Sequence, residues 1–337
     1  MSYEEYTPKE VSSMIGVIDT FRRWKHYQQR DDRSYASYHP SEWGKCLRSQ
    51  QYKHYVHLGY IKSEFSSFDS KLLRLFDKGH NMHERWVNYF DQIGEILLGR
   101  WKCKNPLCYL FDENGNQKHI NKEELRSLYH SNKTRMYGNN KPIFKPKKCA
   151  CGCTDFEYYE TSVEAPELNM KGHADVVYNC EKLDPDKFKD VSVTFNKKYL
   201  PLGDKRVVGD FKTINSRQWT SKLKRYGPHK EYMIQLTIYA HILDCEYGIL
   251  MYENKDNSEI SWHMVPRNDK WWDIIKWQAM TMMDFAQNGK KLPPPRPSSF
   301  DSYECLNCDF RKICRASGVW KKDNLNKMRK YFYKDLL

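Results

Sequence analysis

Apolar residues recur along this chain at two different periods. From about Asp69 to Ile93, the positions Leu72, Phe76, Gly79, His83, Trp86 and Phe90 follow one another at steps of four and three. That is the period of a helix burying one face, and His83 lies within the buried stripe. Near the start, Val11, Met14, Ile15, Ile18 and Phe21 predict another helix, with Thr7 as its cap and Pro8 and Glu10 in its first turn. The polar stretch QQRDDRSYASYHP that follows reads as loop. Farther on the pattern shortens to strand-like runs, FEYYETSVEA, KGHADVVY and RVVGDFKTI, then an amphipathic helix through EYMIQLTIYAHIL and another strand, YGILMYE. Strand, strand, strand, helix, strand is the order of an α/β fold. A last helix through DKWWDIIKWQAMTMMDFAQNG closes on Gly289, and KLPPPRPSSF reads as a stiff linker.

Between about 101 and 160 the apolar periodicity fails. The segment holds Lys, Asn, Pro and five cysteines around a short helix candidate near Lys122 to Tyr129, the composition of an insertion held by metal rather than by a core. The organisation read from the sequence is therefore an N-terminal helical segment (1–43), a main domain (44–316) carrying the insertion (101–160), and a basic C-terminal tail (317–337).

Charge and composition narrow the function. The 337 residues carry 56 Lys+Arg against 43 Asp+Glu, a formal net charge of +13, which points to an acidic partner such as nucleic acid. With 39% hydrophobic and 15% aromatic residues the chain is too apolar to be disordered. No window reaches the roughly 18 uninterrupted apolar residues of a membrane span, and MSYEEYTPKE lacks the order of a signal peptide. The expectation is a cytoplasmic protein without membrane contact. Eleven cysteines in such a chain stay reduced, so metal binding leads over disulfides.

Candidate chemistry falls in three places. Asp210 and Lys212 are two apart in a strand and share a face, with Phe211 on the other. Asp175 ends an earlier strand-like run after Gly172, and a second carboxylate beside the first is what Mg²⁺ or Mn²⁺ requires. Gln235 and Tyr239 are four apart on the following helix and share a face, and His83 would add a nitrogen ligand. Cys305, Cys308 and Cys314 form a compact three-thiolate run that needs a fourth ligand, for which Cys46 is the candidate. Cys103 and Cys108 with Cys149 and Cys151 form two knuckle-like ends of a zinc site, Cys153 being an alternative to either of the last two. Cys180 and Cys245 read as ordinary thiols. Lys102, Lys104, Lys145, Lys147 and Lys148 surround the second group and would suit phosphates, with a solvated basic face as the plain alternative. Trp219, Lys222, Lys224, Arg225 and Tyr226 join aromatic rings to cations, the device by which single strands are stacked and held.

In the order His, Gly-x-x-Asp, Asp-x-Lys, Gln-x-x-x-Tyr, residues 44–316 resemble the RecB-like PD-(D/E)XK nucleases. The resemblance is specifically to their iron-sulfur branch, which includes CRISPR-associated iron-sulfur exonucleases, the AddB helicase-nuclease subunit and phage relatives. The resemblance implies a restriction-endonuclease-like core, a mixed sheet flanked by helices. It implies His83, Asp175, Asp210 and the carbonyl of Phe211 as ligands of Mg²⁺ or Mn²⁺, Lys212 as the catalytic lysine, and Gln235 and Tyr239 as residues lining the site. It also implies a [4Fe-4S] cluster on Cys46, Cys305, Cys308 and Cys314, and four thiolates would also suit zinc. The activity implied is hydrolysis of DNA, most simply by an exonuclease on single strands or duplex ends in recombination, repair or phage DNA metabolism. An endonuclease on branched or flapped DNA and a silent DNA-binding scaffold are the rivals, and a homo-oligomer is compatible with all three. One departure is the 35-residue interval between Asp175 and Asp210, read as an extra excursion through CEKLDPDKFKDVSVTFNKKYL.

Overall fold

The structure, a computed structural model, describes residues 14–28, 35–62, 70–118, 134–139, 141–183 and 205–336. Its strands are β1 (Leu97–Cys103), β2 (Met136–Tyr137), β3 (Ile143–Phe144), β4 (Phe156–Tyr159), β5 (Thr161–Ala165), β6 (Met170–Ala174), β7 (Val176–Tyr178), β8 (Val207–Ile214), β9 (Tyr247–Asn254) and β10 (Ile260–Pro266). The longer helices are α1 (Met14–Gln28), α2 (Leu47–His57), α3 (Ser70–Ile93), α4 (Lys230–Ile242), α5 (Asp269–Gln287) and α6 (Leu325–Tyr333). The central sheet runs β10-β9-β8-β7-β1-β2, with β3 and β4 also on β1, while β5 and β6 form a separate hairpin. The pair β8/β9 is parallel and its neighbours are antiparallel, so the fold is α/β with a mixed sheet flanked by helices.

A parallel pair needs a crossover, and α4 supplies it. The helix that the sequence presents as amphipathic is buried continuously from Ile234 to Ala240. Leu236, Tyr239 and Ala240 pack on the sheet, whereas Ile234 and Ile238 pack against α5 and the C-terminal residues. A helix apolar on all sides is one with neighbours on all sides. On the opposite face the C-terminal half of α3 lies as its periodicity predicts, setting Met82, Trp86, Val87 and Phe90 against Phe211, Ile249 and Tyr178, whereas Phe76 of the expected stripe is exposed.

Several expectations need correction. The segment expected as a tail is, over 317–336, part of the fold, because Phe332, Tyr333 and Leu336 are buried in the core beneath α5. Gln278 Nε2 donates to the Phe332 carbonyl at 2.8 Å, and the Tyr333 hydroxyl donates to the Pro294 carbonyl at 3.1 Å. The proline linker is likewise built in: Pro293, Pro294 and Pro295 are buried, and Arg48 Nη1 donates to the Pro293 carbonyl at 2.8 Å. Tyr38, inside the stretch read as loop, is fully buried and bridges Met170. The insertion grows directly out of the sheet, since Cys103 at the end of β1 pairs with Phe156 of β4. In α1 the expected apolar stripe is solvent-exposed at Met14, Ile18 and Phe21. The Thr7 cap with Pro8, Glu10 and Val11, the helix candidate near Lys122 to Tyr129, and most of the excursion before β8 lie outside the described residues. No helix among the described residues is long and apolar enough to cross a membrane.

Candidate active site and cysteine centres

Two strand-like runs that read as continuous in the sequence each break at a carboxylate. Glu160 separates β4 from β5 and Asp175 separates β6 from β7, and the pairing of Thr161 with Ala174 sets the two breaks opposite each other. Both backbones are tied at the break. Arg100 Nε donates to the Glu160 carbonyl at 2.8 Å, and the Tyr158 hydroxyl donates to the Asp175 carbonyl at 3.2 Å. A Cβ at 172 would press on Pro40 Cδ at 3.1 Å and meet the Tyr239 hydroxyl at 3.4 Å, so a side chain there would require Pro40 to give by a few tenths of an ångström.

Asp175 then reaches across to β8 and α3. Its Oδ2 accepts from the Phe211 backbone N–H at 2.7 Å, and its Oδ1 lies 3.5 Å from His83 Nδ1. The other ring nitrogen, His83 Nε2, lies 3.0 Å from the Phe211 carbonyl oxygen. Burial works against the imidazolium, but the Asp175 carboxylate outweighs it and raises the His83 pKa above its ordinary value. The Phe211 ring points the opposite way from Asp210 and Lys212, under α3, with its centroid 5.7 Å from the His83 ring.

Asp210 is 1% exposed. Its Oδ1 accepts from Gln235 Nε2 at 3.1 Å, and Gln235 Nε2 also donates to the Tyr239 hydroxyl at 3.0 Å. Its Oδ2 lies 2.7 Å from Lys212 Nζ yet sits in no hydrogen-bond geometry. Lys212 Nζ in turn stands 4.8 Å over the Tyr232 ring. Burial pushes the Asp210 carboxyl up to about 6 even though Lys212 pulls it down. Burial opposes the Lys212 ammonium too, but the Asp210 charge prevails and its pKa is raised. His83, Asp175, Asp210, Lys212, Gln235 and Tyr239 are thus brought into one pocket. Two carboxylates, an imidazole and the Phe211 carbonyl form a donor set that suits a hard divalent cation, and Asp210 Oδ2 is buried in an ion pair with Lys212 Nζ.

Glu160 also belongs to this pocket, and sequence reasoning did not find it. His83, Glu160 and Asp175 offer donor atoms that all lie within 4.8 Å of one another. Burial, and after it the Asp175 charge, pushes the Glu160 carboxyl up to about 7 although its side chain still reaches solvent. Its position just before a strand carried no signal without knowledge of the strand break and its register.

At the far end of β1 the sheet extension carries a thiol tetrad that could hold a metal ion. Cys103, Cys108, Cys149 and Cys151 have sulfurs all within 4.8 Å, with Cys103 Sγ to Cys151 Sγ at 3.6 Å and Cys108 Sγ to Cys149 Sγ at 3.3 Å. Four thiolates at about 2.3 Å from a tetrahedral ion would stand about 3.8 Å apart. Gly152, at φ +86°, turns the chain so that Cys149 and Cys151 face inward. Cys153, the alternative ligand, stands outside the set and contacts its neighbour Asp155 instead. The Tyr137 hydroxyl donates to Cys149 Sγ at 3.3 Å and Asn105 Nδ2 donates to Cys151 Sγ at 3.5 Å. Burial opposes the Cys149 thiolate, but Tyr137 and the surrounding donors bring its pKa down to about 6. Of the nearby lysines, Lys104 pairs with Asp155 at 3.3 Å and Lys145 with Asp91 at 2.8 Å.

The other four cysteines are arranged more widely. Cys46, at the N-cap of α2, and Cys305, Cys308 and Cys314 all line one cavity of about 700 Å³ that extends to Lys212, His229 and Tyr232. Cys46 Sγ accepts from the Arg296 N–H at 3.4 Å, and Cys308 Sγ lies 3.7 Å from Ser49 Oγ. Burial pushes the Cys46 thiol up to about 12. These four do not form a set with sulfurs all within 4.8 Å of one another.

Among the expected strand-binding residues, Lys222, Lys224, Arg225 and Tyr226 are exposed, and Lys222 lines the same cavity. Trp219 is not available for stacking. A π-helical turn over Trp219–Leu223 sets both of these residues inward, and Trp219 is 4% exposed within the main core.

No protein-family model matches the chain, and no curated protein matches it. A crystal structure described as that of SSO0001 is similar at 16% identity, covering 90% of this chain and 98% of that chain, with a TM-score of 0.43.

Proposed function

We propose that the protein is a divalent-metal-dependent deoxyribonuclease with a RecB-like PD-(D/E)XK core, acting as an exonuclease on single strands or duplex ends. One observation carries the reading: Asp175 binds the Phe211 N–H while the Phe211 carbonyl faces His83, so the Asp210-Phe211-Lys212 strand is held edge-on to a carboxylate and an imidazole. His83, Asp175, Asp210 and the Phe211 carbonyl would hold Mg²⁺ or Mn²⁺. When bound, such an ion lowers the pKa of a coordinated water and neutralises charge developing on a phosphodiester. Lys212 is fixed by Asp210 and Tyr232 with its ammonium charged, ready to orient the nucleophile or stabilise the anionic transition state. Gln235 and Tyr239 hold Asp210 in place by one connected pair of hydrogen bonds.

The tetrad Cys103, Cys108, Cys149 and Cys151 is assigned to zinc, which fits its short sulfur separations. Cys46, Cys305, Cys308 and Cys314 are assigned to a [4Fe-4S] cluster, for which the shared cavity and the all-thiolate chemistry speak. The exposed cations Lys222, Lys224 and Arg225 with Tyr226 would receive the DNA strand.

The test is end-labelled single- and double-stranded DNA with Mg²⁺ or Mn²⁺, run beside calorimetric metal titration. Asp210→Ala and Asp175→Ala should abolish both cleavage and the response to Mn²⁺. Lys212→Ala should keep the ion but lose about 10²-fold or more in rate. Parental cleavage in all three variants would sink the assignment and leave a DNA-binding scaffold.

A further inference from the structure

The central sheet ends at β10, and no described strand lies beyond it. The direction of each backbone group on this edge follows from the bonds at its two ends. The Glu259 carbonyl accepts from the Asn254 N–H at 2.8 Å, and the Arg267 N–H donates to the Glu246 carbonyl at 2.9 Å. Antiparallel bonding alternates along a strand, so Ser261, His263 and Val265 also turn their N–H and C=O groups toward β9. Ile260, Trp262 and Met264 therefore turn theirs outward. Pro266, the next outward position, has no N–H to offer and ends the edge.

The same three residues carry the uncovered side chains, at 48%, 50% and 48% exposure. They stand opposite Glu253, Met251 and Ile249, on the face of the sheet that α3 covers as far as β9. An edge strand is ordinarily guarded by a charged side chain. Residues 260–266 hold none, in a chain that is 29% charged. Charge begins just outside them, with Glu259 at one end and Arg267 at the other.

We propose that β10 is the interface of a homodimer, pairing antiparallel with β10 of a second copy about a two-fold axis at Trp262. In that register Trp262 faces Trp262 of the second copy and Ile260 faces Met264, so the outward N–H and C=O groups meet their opposites and the exposed side chains form one apolar ladder across the joint. The charges agree, because antiparallel pairing brings the Glu259 end of each copy to the Arg267 end of the other, whereas parallel pairing would oppose Glu259 to Glu259. Such a contact is isologous and closes at two copies. One pair of short strands buries less than the roughly 800 Å² per partner of a standard interface, so the dimer should dissociate in the micromolar range.

The test follows full-length protein by sedimentation velocity from nanomolar to high micromolar concentration, with amide exchange resolved to single residues at both extremes. The parent should pass from monomer to dimer. The amides of Ile260, Trp262 and Met264 should gain protection in the dimer, while those of Ser261, His263 and Val265 are protected by β9 throughout. Trp262→Lys opposes like charges at the two-fold axis and should weaken the dimer roughly tenfold or more, with protection at Ser261 and His263 unchanged as the sign of an intact fold. The double variant Ile260→Lys, Met264→Glu sets opposite charges across the joint in this register alone and should keep a dimer that weakens with added salt. A parent that stays monomeric overturns the proposal and leaves the edge to an extended segment of another protein. A dimer that survives Trp262→Lys, or that gives the outward amides no protection, overturns it too, by placing the contact on another surface.

Discussion

The two cysteine groups draw four thiols each from opposite kinds of place in the chain. Cys103, Cys108, Cys149 and Cys151 come from one excursion of the sheet, close within 4.8 Å, and are surrounded by their own neighbours Tyr137 and Asn105. Cys46, Cys305, Cys308 and Cys314 come from opposite ends of the chain, line a cavity, and are braced by groups of equally distant origin. The Cys46 N–H is held by Glu304, and the Tyr333 hydroxyl bridges the Leu47 N–H and the Pro294 carbonyl. A local site can organise only its own segment, whereas a nonlocal one sets the register of everything it joins.

Chain entropy gives the comparison a scale. A cross-link closing the long loop between Cys46 and Cys305 would restrict the unfolded chain by roughly 5–6 kcal/mol, and one closing the shorter loop from Cys103 to Cys149 by about 4 kcal/mol. The energies are similar, so the difference should be in what unfolds. The largest effect is expected for Cys305→Ala: loss of brown colour, reduced solubility, and faster amide exchange together in α2, the proline segment and α6. Exchange confined to residues near 305 would show that the ends are tied by packing alone.

Cys108→Ala should come next. It should release the one zinc per chain expected by elemental analysis and raise exchange across 104–118 and 141–155, while α4 and α5 stay protected. Global unfolding on loss of this ion would erase the distinction between the two centres.

What the sequence revealed follows the same division between local and nonlocal. The period of α3, the Asp-x-Lys pair and the cysteine spacings are short-range patterns, and each could be read directly. Strand β10 was missed because its alternation is inverted: Ile260, Trp262 and Met264 are exposed while Ser261 and His263 turn inward. Helix α2 was missed because Arg48, Gln50 and Gln51 are buried, giving no apolar stripe, and Gln51 spends its amide on the Met282 carbonyl at 3.2 Å. Glu160 depended on a strand break, and the C-terminal helix on three apolar residues in a basic segment. None of these could be seen without the partner strand or helix that gives them meaning.

The smallest expected effect concerns how finely the local centre is tuned. Tyr137 donates to Cys149 Sγ and its oxygen also lies 3.3 Å from the Ala150 N–H, which it can accept. Against the burial that favours the thiol, Tyr137, the Cys151 N–H and the neighbouring thiols hold Cys149 at about 6, below a free thiol near 8.5. A group whose folded-state pKa is depressed adds stability that is fully present above the unfolded value and fades as pH falls through the folded one. Metal retention should follow the same direction, because thiolates are the ligands. Tyr137→Phe should therefore leave one zinc bound at pH 8 and cost about 1 kcal/mol of stability. It should move the midpoint of acid-induced zinc release to higher pH, read with a chromophoric chelator. The same substitution should leave visible absorption of the other centre unchanged at every pH, and a parallel loss of colour would mean that the two cysteine groups are not independent.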